Sequence, residues 1–273
     1  MIYSNDQRES IEGIRPLAPA SRATDPVALA QPPAGRDRLY AEDADLAAPF
    51  RFDERVAAVF PDMIERSVPG YATVLRLIGL IAARHAEPGT ACYDLGCSLG
   101  AVSLALRTAI GGRGCRIVAV DSSPAMLDAA RRRLAEGGDP PVRFVLADIR
   151  DAPIVDASVV VLNYTLQFVP PADRLQLLRR IRAGLRPGGV LVLSEKVRFG
   201  DPATDRAMVA LHEAFKEANG YSALEVSRKR RALERVLIPE SLDAHAERLR
   251  AAGFRSSEVW FQCLNFASLL ATA

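Results

Sequence analysis

The stretch ACYDLGCSLGAVSLALRTAIGGRGCRIVAVD, residues 91–121, sets two short apolar runs on either side of a glycine-bearing turn and a helical segment. Residues 91–95 read as a strand, 99–110 as a helix with apolar positions at helical spacing, and 116–120 as a second strand. A strand, a crossover helix and a strand make a right-handed unit with the two strands parallel. The same alternation continues on both sides of this stretch. A helix is expected at 123–135, with Pro124 at an early position where its missing N–H costs nothing. Strands follow at 142–147 and 158–163, the second a continuous apolar run suited to burial on both faces. A helix at 171–185 ends before Pro187-Gly188-Gly189, and 190–194 is a fifth strand. Upstream, 53–67 reads as a short helix interrupted at Pro61, and 71–86 as a helix closed by Pro88-Gly89. Downstream come helical segments at 203–218, 223–237 and 241–252, then strand-like runs near 255–262 and 264–270. The expectation is an α/β chain with a doubly wound, mostly parallel sheet and a helical insertion before the last strands.

At 273 residues the chain suits one large domain or two small ones. Lys plus Arg number 35 and Asp plus Glu 33, for a net charge of +2, so no global field draws it to nucleic acid or a membrane surface. Cys92, Cys97, Cys115 and Cys263 form no C-x-x-C pair, which argues against a metal site or disulfide framework and for reduced thiols in the cytoplasm. The start, MIYSNDQRES, lacks a signal peptide's basic and apolar regions, and no apolar run nears the ~18 residues of a membrane span. Residues 1–45 are rich in Pro, Ala, Asp and Arg without apolar periodicity. They are expected to be a flexible extension to a catalytic domain at 46–273.

In such sheets ligands lie at the carboxyl ends of the strands. The first strand ends in Asp94 and the turn Gly96-Cys97-Ser98-Leu99-Gly100, where backbone can approach a ligand at a helix N-terminus. The second ends in Asp121-Ser122, about 20 residues on, the spacing of an acid that reads a ribose diol. The third ends in Asp148-Ile149, a carboxylate for an exocyclic amine beside an apolar residue for a purine face. The fourth ends in Asn163-Tyr164. Four polar strand ends in succession point to a nucleoside. Ser98 stands where a dinucleotide site wants its second glycine, which disfavours NAD, and Asp94 suits a ligand with an amino group and no phosphate, as in S-adenosylmethionine.

Two further readings compete. Gly96-Cys97-Ser98-Leu99-Gly100 also matches G-x-S-x-G, the nucleophile elbow of an α/β-hydrolase, but only His212 and His245 lie downstream, both in helical runs. His212 shares an apolar face with Met208, Leu211 and Phe215 and reads as a core residue. Ser222-Ala223-Leu224-Glu225 opens a helix by a capping box. On that helix Arg230, four residues after Val226 and three before Leu233, is expected on the inward face, whereas Arg228, Arg231 and Arg235 point to solvent. An inward arginine needs an anion, structural or a ligand's. Arg131-Arg132-Arg133 reads as a solvated face rather than an RNA patch.

Eight segments carry a resemblance. They are DERVAAVFPDMIERSVPGY, YDLGCSLGA, the run Asp121-Ser122-Ser123-Pro124-Ala125-Met126-Leu127, DIRD, VVLNYTLQF, LRPGGVLVLSEK, FKEANGYSALEVSRKR and WFQCLNF. Together they resemble the carboxy-S-adenosyl-L-methionine synthases, from about Arg51 onward. The resemblance implies a class I methyltransferase-like fold and a homodimer. It implies an enzyme that joins S-adenosylmethionine and prephenate into carboxy-S-adenosylmethionine and phenylpyruvate, a product used elsewhere to carboxymethylate wobble uridine in tRNA. An ordinary S-adenosylmethionine-dependent methyltransferase is the alternative. Carried across residue by residue, it marks Tyr71, Gly96, Cys97, Ser98, Asp121, Ser122, Asp148, Ile149, Asn163 and Arg230 as ligand contacts, with Arg230 catalytic and no metal. Ser122 stands where Asn is familiar and Tyr164 where Phe is. Prephenate's own contacts are not singled out; Lys196, Arg198, His212 and Tyr221 are unranked candidates.

Overall fold

Among the described residues, seven strands form one sheet in the order β3-β2-β1-β4-β5-β7-β6. The strands are β1 Ala91–Leu95, β2 Arg116–Asp121, β3 Val142–Leu146, β4 Ala157–Asn163, β5 Leu185–Lys196, β6 Ser256–Cys263 and β7 Phe266–Thr272. In this computed structural model residues 35–41, 50–134 and 139–273 are described. The first five strands pair in parallel, and β7 inserts antiparallel between β5 and β6. The direction of winding reverses between β1 and β4, the place where sheets of this kind take their ligands, at the carboxyl ends of the strands.

Alternation along β1 explains the two cores. Tyr93 and Leu95 face one side, where helices α5 (Pro171–Gly184) and α8 (Leu242–Ala251) bring Leu177, Leu178, Ile181 and Leu249. Cys92 faces the other, under Val74, Leu75 and Ile78 of α2 (Tyr71–His85) and Val102, Leu106 and Ile110 of α3 (Ala101–Ile110). Helix α4, Pro124–Leu134, follows β2.

Some elements differ from the expected pattern. Helix α1, Glu54–Ser67, runs through Pro61. Its N-cap Asp53 accepts from the Val56 N–H at 3.0 Å, and Val56 and Met63 pack on Leu99 and Met126, which offsets the one missing donor. Pro187-Gly188-Gly189 lies within β5 instead of before it: Leu185 pairs with Ala157 and Val190 with Val159, so the intervening residues bulge out of the ladder. Helix α6 spans Pro202–Ala218 and α7 spans Ala223–Leu233, so α7 ends four residues before the expected 237.

The expected flexible extension also needs correction in part. Residues 35–41 are docked on the domain. Asp37 is 2% exposed, donates its N–H to Asp62 Oδ2 at 2.7 Å and accepts from Tyr221 Oη at 2.6 Å. Its carboxylate also pairs with Lys229 Nζ at 3.5 Å. A buried acid with three partners holds this segment where apolar periodicity is lacking. The rest of 1–45 lies outside the described residues. Among the described residues, no helix is long and apolar enough to cross a membrane.

Candidate functional site

The turn after β1 is shaped by close approach. Gly96 has φ +79°, and a Cβ there would lie 2.3 Å from Thr165 Cγ2. Ser98 is left-handed as well, at φ 47°. The Gly96 and Cys97 N–H groups both donate to Val120 O, at 2.8 and 3.0 Å, which ties the turn to β2. Asp94 is 1% exposed, and its Oδ2 accepts from Ser103 N at 2.9 Å and Ser103 Oγ at 2.6 Å. Burial pushes its pKa up to about 7 against those two donors. Asp94 therefore braces the N-terminus of α3 through Oδ2.

Asp121 joins the turn to the next loop. Oδ2 accepts from Ser98 N at 2.8 Å and Oδ1 from Ser123 N at 2.9 Å. A carboxylate has about four acceptor sites, so acceptor capacity remains on Asp121 beyond these two bonds. Ser122 is exposed beside it. Asp148 is held by Arg150: it accepts the Arg150 N–H at 2.8 Å and the guanidinium at 2.7–3.1 Å. That guanidinium keeps its pKa below the usual range. Ile149 is 8% exposed and packs in the core with Leu95 and Val120, so only an edge of its side chain is left for a purine.

At the reversal point Asn163 ends β4 opposite Ser194. Among the described residues its buried Oδ1 finds no hydrogen-bond partner, and neither does Tyr164 Oη on the next residue. The Tyr164 ring lies between Tyr71, 6.3 Å away, and Phe266, 5.8 Å away. Tyr71 opens α2 after Gly70, and burial raises the pKa of both tyrosines. Buried polar atoms are almost always paired. Two such atoms on adjacent residues at the carboxyl end of β4 leave hydrogen-bonding capacity for a polar ligand.

The structure therefore brings Tyr71, the Gly96–Ser98 turn, Asp121 and Asn163 to one end of the sheet, with Ser122, Asp148 and Ile149 on the loops beside it. Arg230 is placed differently from expectation. Its side chain is 63% exposed and pairs with Glu213 at 2.8 Å; the inward position belongs to Lys229, 5% exposed, whose Nζ donates to Ser67 Oγ at 3.0 Å. The buried stripe of α7 runs Val226 to Lys229, an i,i+3 step, and Arg230 falls on its flank. Arg198 is also exposed, and Tyr221 is engaged by Asp37.

Sequence reasoning missed Thr165, which sets the space over Gly96. It also missed Glu195, buried at 0% exposure and accepting the Leu166 and Gln167 N–H groups at 2.9 Å each. Lys216 was missed too, though it lies one helical turn after His212 and is 8% exposed. The hydrolase reading lacks its base among the described residues. His212 Nε2 is 2.8 Å from Ser67 O, and His245 is buried beside Glu240, Arg248 and Arg174.

Strand order, the glycine turn at the reversal point and the acid that braces it define a class I methyltransferase-like fold. A family model described as a methyltransferase domain matches residues 93–189. Human N-acetylserotonin methyltransferase, solved in complex with SAM, superposes with a TM-score of 0.54 at 18% identity, covering 80% of this chain and 55% of that one. The carboxy-S-adenosyl-L-methionine synthase of Geobacter metallireducens is 60% identical over 237 residues, 86% of this chain and 97% of its own length. That of Aliivibrio salmonicida is 53% identical over 239 residues, 87% and 99%. The chain belongs to the carboxy-S-adenosyl-L-methionine synthase family and is an enzyme.

Proposed function

We propose that this enzyme converts S-adenosylmethionine and prephenate to carboxy-S-adenosylmethionine and phenylpyruvate, and that the product supplies a separate enzyme carboxymethylating wobble uridine in tRNA. The extent of the likeness carries this reading. A match of 237 residues necessarily takes in α6 and α7, whereas the methyltransferase-domain model ends at residue 189, ahead of both. An ordinary methyltransferase shares the sheet and has no need of the same insertion.

In this reading the backbone of Gly96, Cys97 and Ser98 lies against the ligand, Asp121 and Ser122 hold the ribose diol, Asp148 and Ile149 meet the adenine, and Tyr71 and Asn163 close the crevice. Prephenate loses its ring carboxylate as CO₂ and expels hydroxide as the ring aromatises. The hydroxide takes a proton from the sulfonium methyl, giving water and an ylide, and the ylide carbon bonds to the CO₂. Holding the fragments together replaces an encounter between free species, an advantage of up to ~7–11 kcal/mol. Arg230 exchanges Glu213 for the new carboxylate as a bidentate partner. Against a bare sulfonium methyl the same guanidinium is repelled, by about 1 kcal/mol at 4 Å in the solvent-like dielectric of its exposed position. The working form in this proposal is a homodimer in the cytoplasm acting on small molecules, without contact to nucleic acid or membrane.

Mass spectrometry of reactions with and without prephenate tests the proposal. The expected product is a sulfonium nucleoside heavier than the donor by one carboxyl group, formed only with prephenate. S-adenosylhomocysteine formed with an acceptor, and no carboxylated product, would overturn it.

A further inference from the structure

The insertion helices gather more positive charge than the surrounding side chains neutralise. Lys196 ends β5, directly across from Phe266 of β7. Lys216 lies in the last turn of α6, 8% exposed, and its ammonium has neither a hydrogen bond nor an ion pair among the described residues. Lys196, Lys229 and Arg230 are close enough that each disfavours the charge on Lys216. The facing anions are otherwise engaged: Asp37 with Lys229 and Tyr221, and Glu213 with Arg230. Asp205, which faces Lys196, accepts the Phe199 N–H at 2.8 Å. Only the Glu213 charge favours a charged Lys216. His212 offers no anion and is itself held neutral, its pKa lowered to about 3 by burial and by these lysines.

A run of rings links this cluster to the nucleoside crevice. His212 packs on Phe266 at 4.9 Å, Phe266 on Tyr164 at 5.8 Å, and Tyr164 on Tyr71 at 6.3 Å. Burial, then repulsion from the neighbouring cations, brings the Lys216 pKa down to about 7. An ammonium on a largely buried side chain that is short of a counter-ion is unfavourable, and an arriving carboxylate relieves that penalty.

Decarboxylation disperses the charge of the carboxylate that is lost, so an ammonium gripping that group would hold back its departure. The lysines therefore suit the other carboxylate. We propose that Lys216, assisted by Lys196, binds the retained 2-oxo-acid carboxylate of a dianionic co-substrate and leaves the carboxylate to be lost facing the nucleoside. The identity of that co-substrate rests on the function proposed above; the excess of positive charge does not.

The test is calorimetric titration of the full chain with prephenate and with phenylpyruvate, which carries only the retained carboxylate. Lys216→Met should weaken both at least tenfold and raise the KM for prephenate similarly, with S-adenosylmethionine affinity unchanged. Lys216→Arg should recover most of the loss. In buffers of different ionisation enthalpy at pH 7.5, the unsubstituted protein should take up a proton on binding phenylpyruvate and Lys216→Met should not. Should Lys216→Met fail to fold, Lys196→Met with the same readouts carries the test. Normal affinity for both acids in the variant, persistent proton uptake, or no binding of either acid by the unsubstituted protein overturns the subsite. Lys216-dependent binding without any carboxylated product overturns the proposed reaction instead and leaves the subsite standing.

Discussion

Replacing Gly96 by alanine should damage the turn by an amount that can be divided in two. A left-handed backbone costs an L-residue ~1–2 kcal/mol, and Gly96 sits at φ +79°. The new Cβ would also lie 2.3 Å from Thr165 Cγ2 and 2.6 Å from Thr165 Oγ1. Threonine is stiff at χ1, so relief requires movement of the loop after β4, and overpacking of this kind costs ~1–3 kcal/mol. The sum is ~2–5 kcal/mol. At ~2–4 °C per kcal/mol for a chain of this size the melting temperature falls by ~4–20 °C. Adding Thr165→Ala removes the two closest atoms and leaves Thr165 Cβ at 3.0 Å, so the double variant should regain most of the steric part and keep the backbone part. Urea unfolding followed by circular dichroism, read as midpoints at constant slope, measures all four corners of the cycle. Strictly additive costs, or a single variant within ~0.5 kcal/mol of the parent, would show that Thr165 does not crowd Gly96.

Asp121→Asn should be nearly as harmful as Asp121→Ala, because an amide accepts one of the two backbone N–H groups and turns its own NH₂ toward the other. At ~1.5–3 kcal/mol per charged hydrogen bond, donor affinity by calorimetry should fall ~10–100-fold, and parental affinity in the amide variant would refute the bridging role. Arg230→Ala should leave stability within ~0.5 kcal/mol, given its exposed side chain, yet erase the preference for carboxy-S-adenosylmethionine over S-adenosylmethionine; Arg230→Lys should be a poor substitute. Unchanged discrimination by calorimetry counts against that role. His212 has a folded pKa near 3 against 6.5 unfolded, so between those values the unfolded chain binds the extra proton and stability rises with pH, by up to ~1.4 kcal/mol per unit. The stability gap between the parent and His212→Gln should therefore shrink as pH is lowered from 6.5 toward 3; urea midpoints at pH 7, 5.5 and 4.5 with a constant gap would contradict it.

Local patterns were enough for much of this protein. Strands and helices show in the spacing of apolar residues, because a strand repeats every two positions and a helix every 3.6. The strand ends carrying Gly96, Asp121, Asp148 and Asn163 follow from that reading. His212 was also legible as a core residue, although Leu211, read onto the same apolar face, is 50% exposed. Pro187-Gly188-Gly189 was not legible as part of β5, since a bulge depends on the partner strand holding its register on both sides.

The remaining features depend on contacts between residues distant in the chain. Nothing local to β6 or β7 says that β7 lies between β5 and β6, because antiparallel insertion is decided by pairing across the whole sheet. Whether Lys229 or Arg230 turned inward rested on a rotation of one residue in α7. That choice was made by Asp37 and Ser67, from segments far upstream that supply the oxygen atoms. Asp94 likewise became a buried brace only when α3 folded back to place Ser103 over it. Residue type and spacing state which groups a segment can bury or expose; the selection among them comes from partners that exist only once distant segments have met, since a buried charge is stable only where its counter-group is already in place.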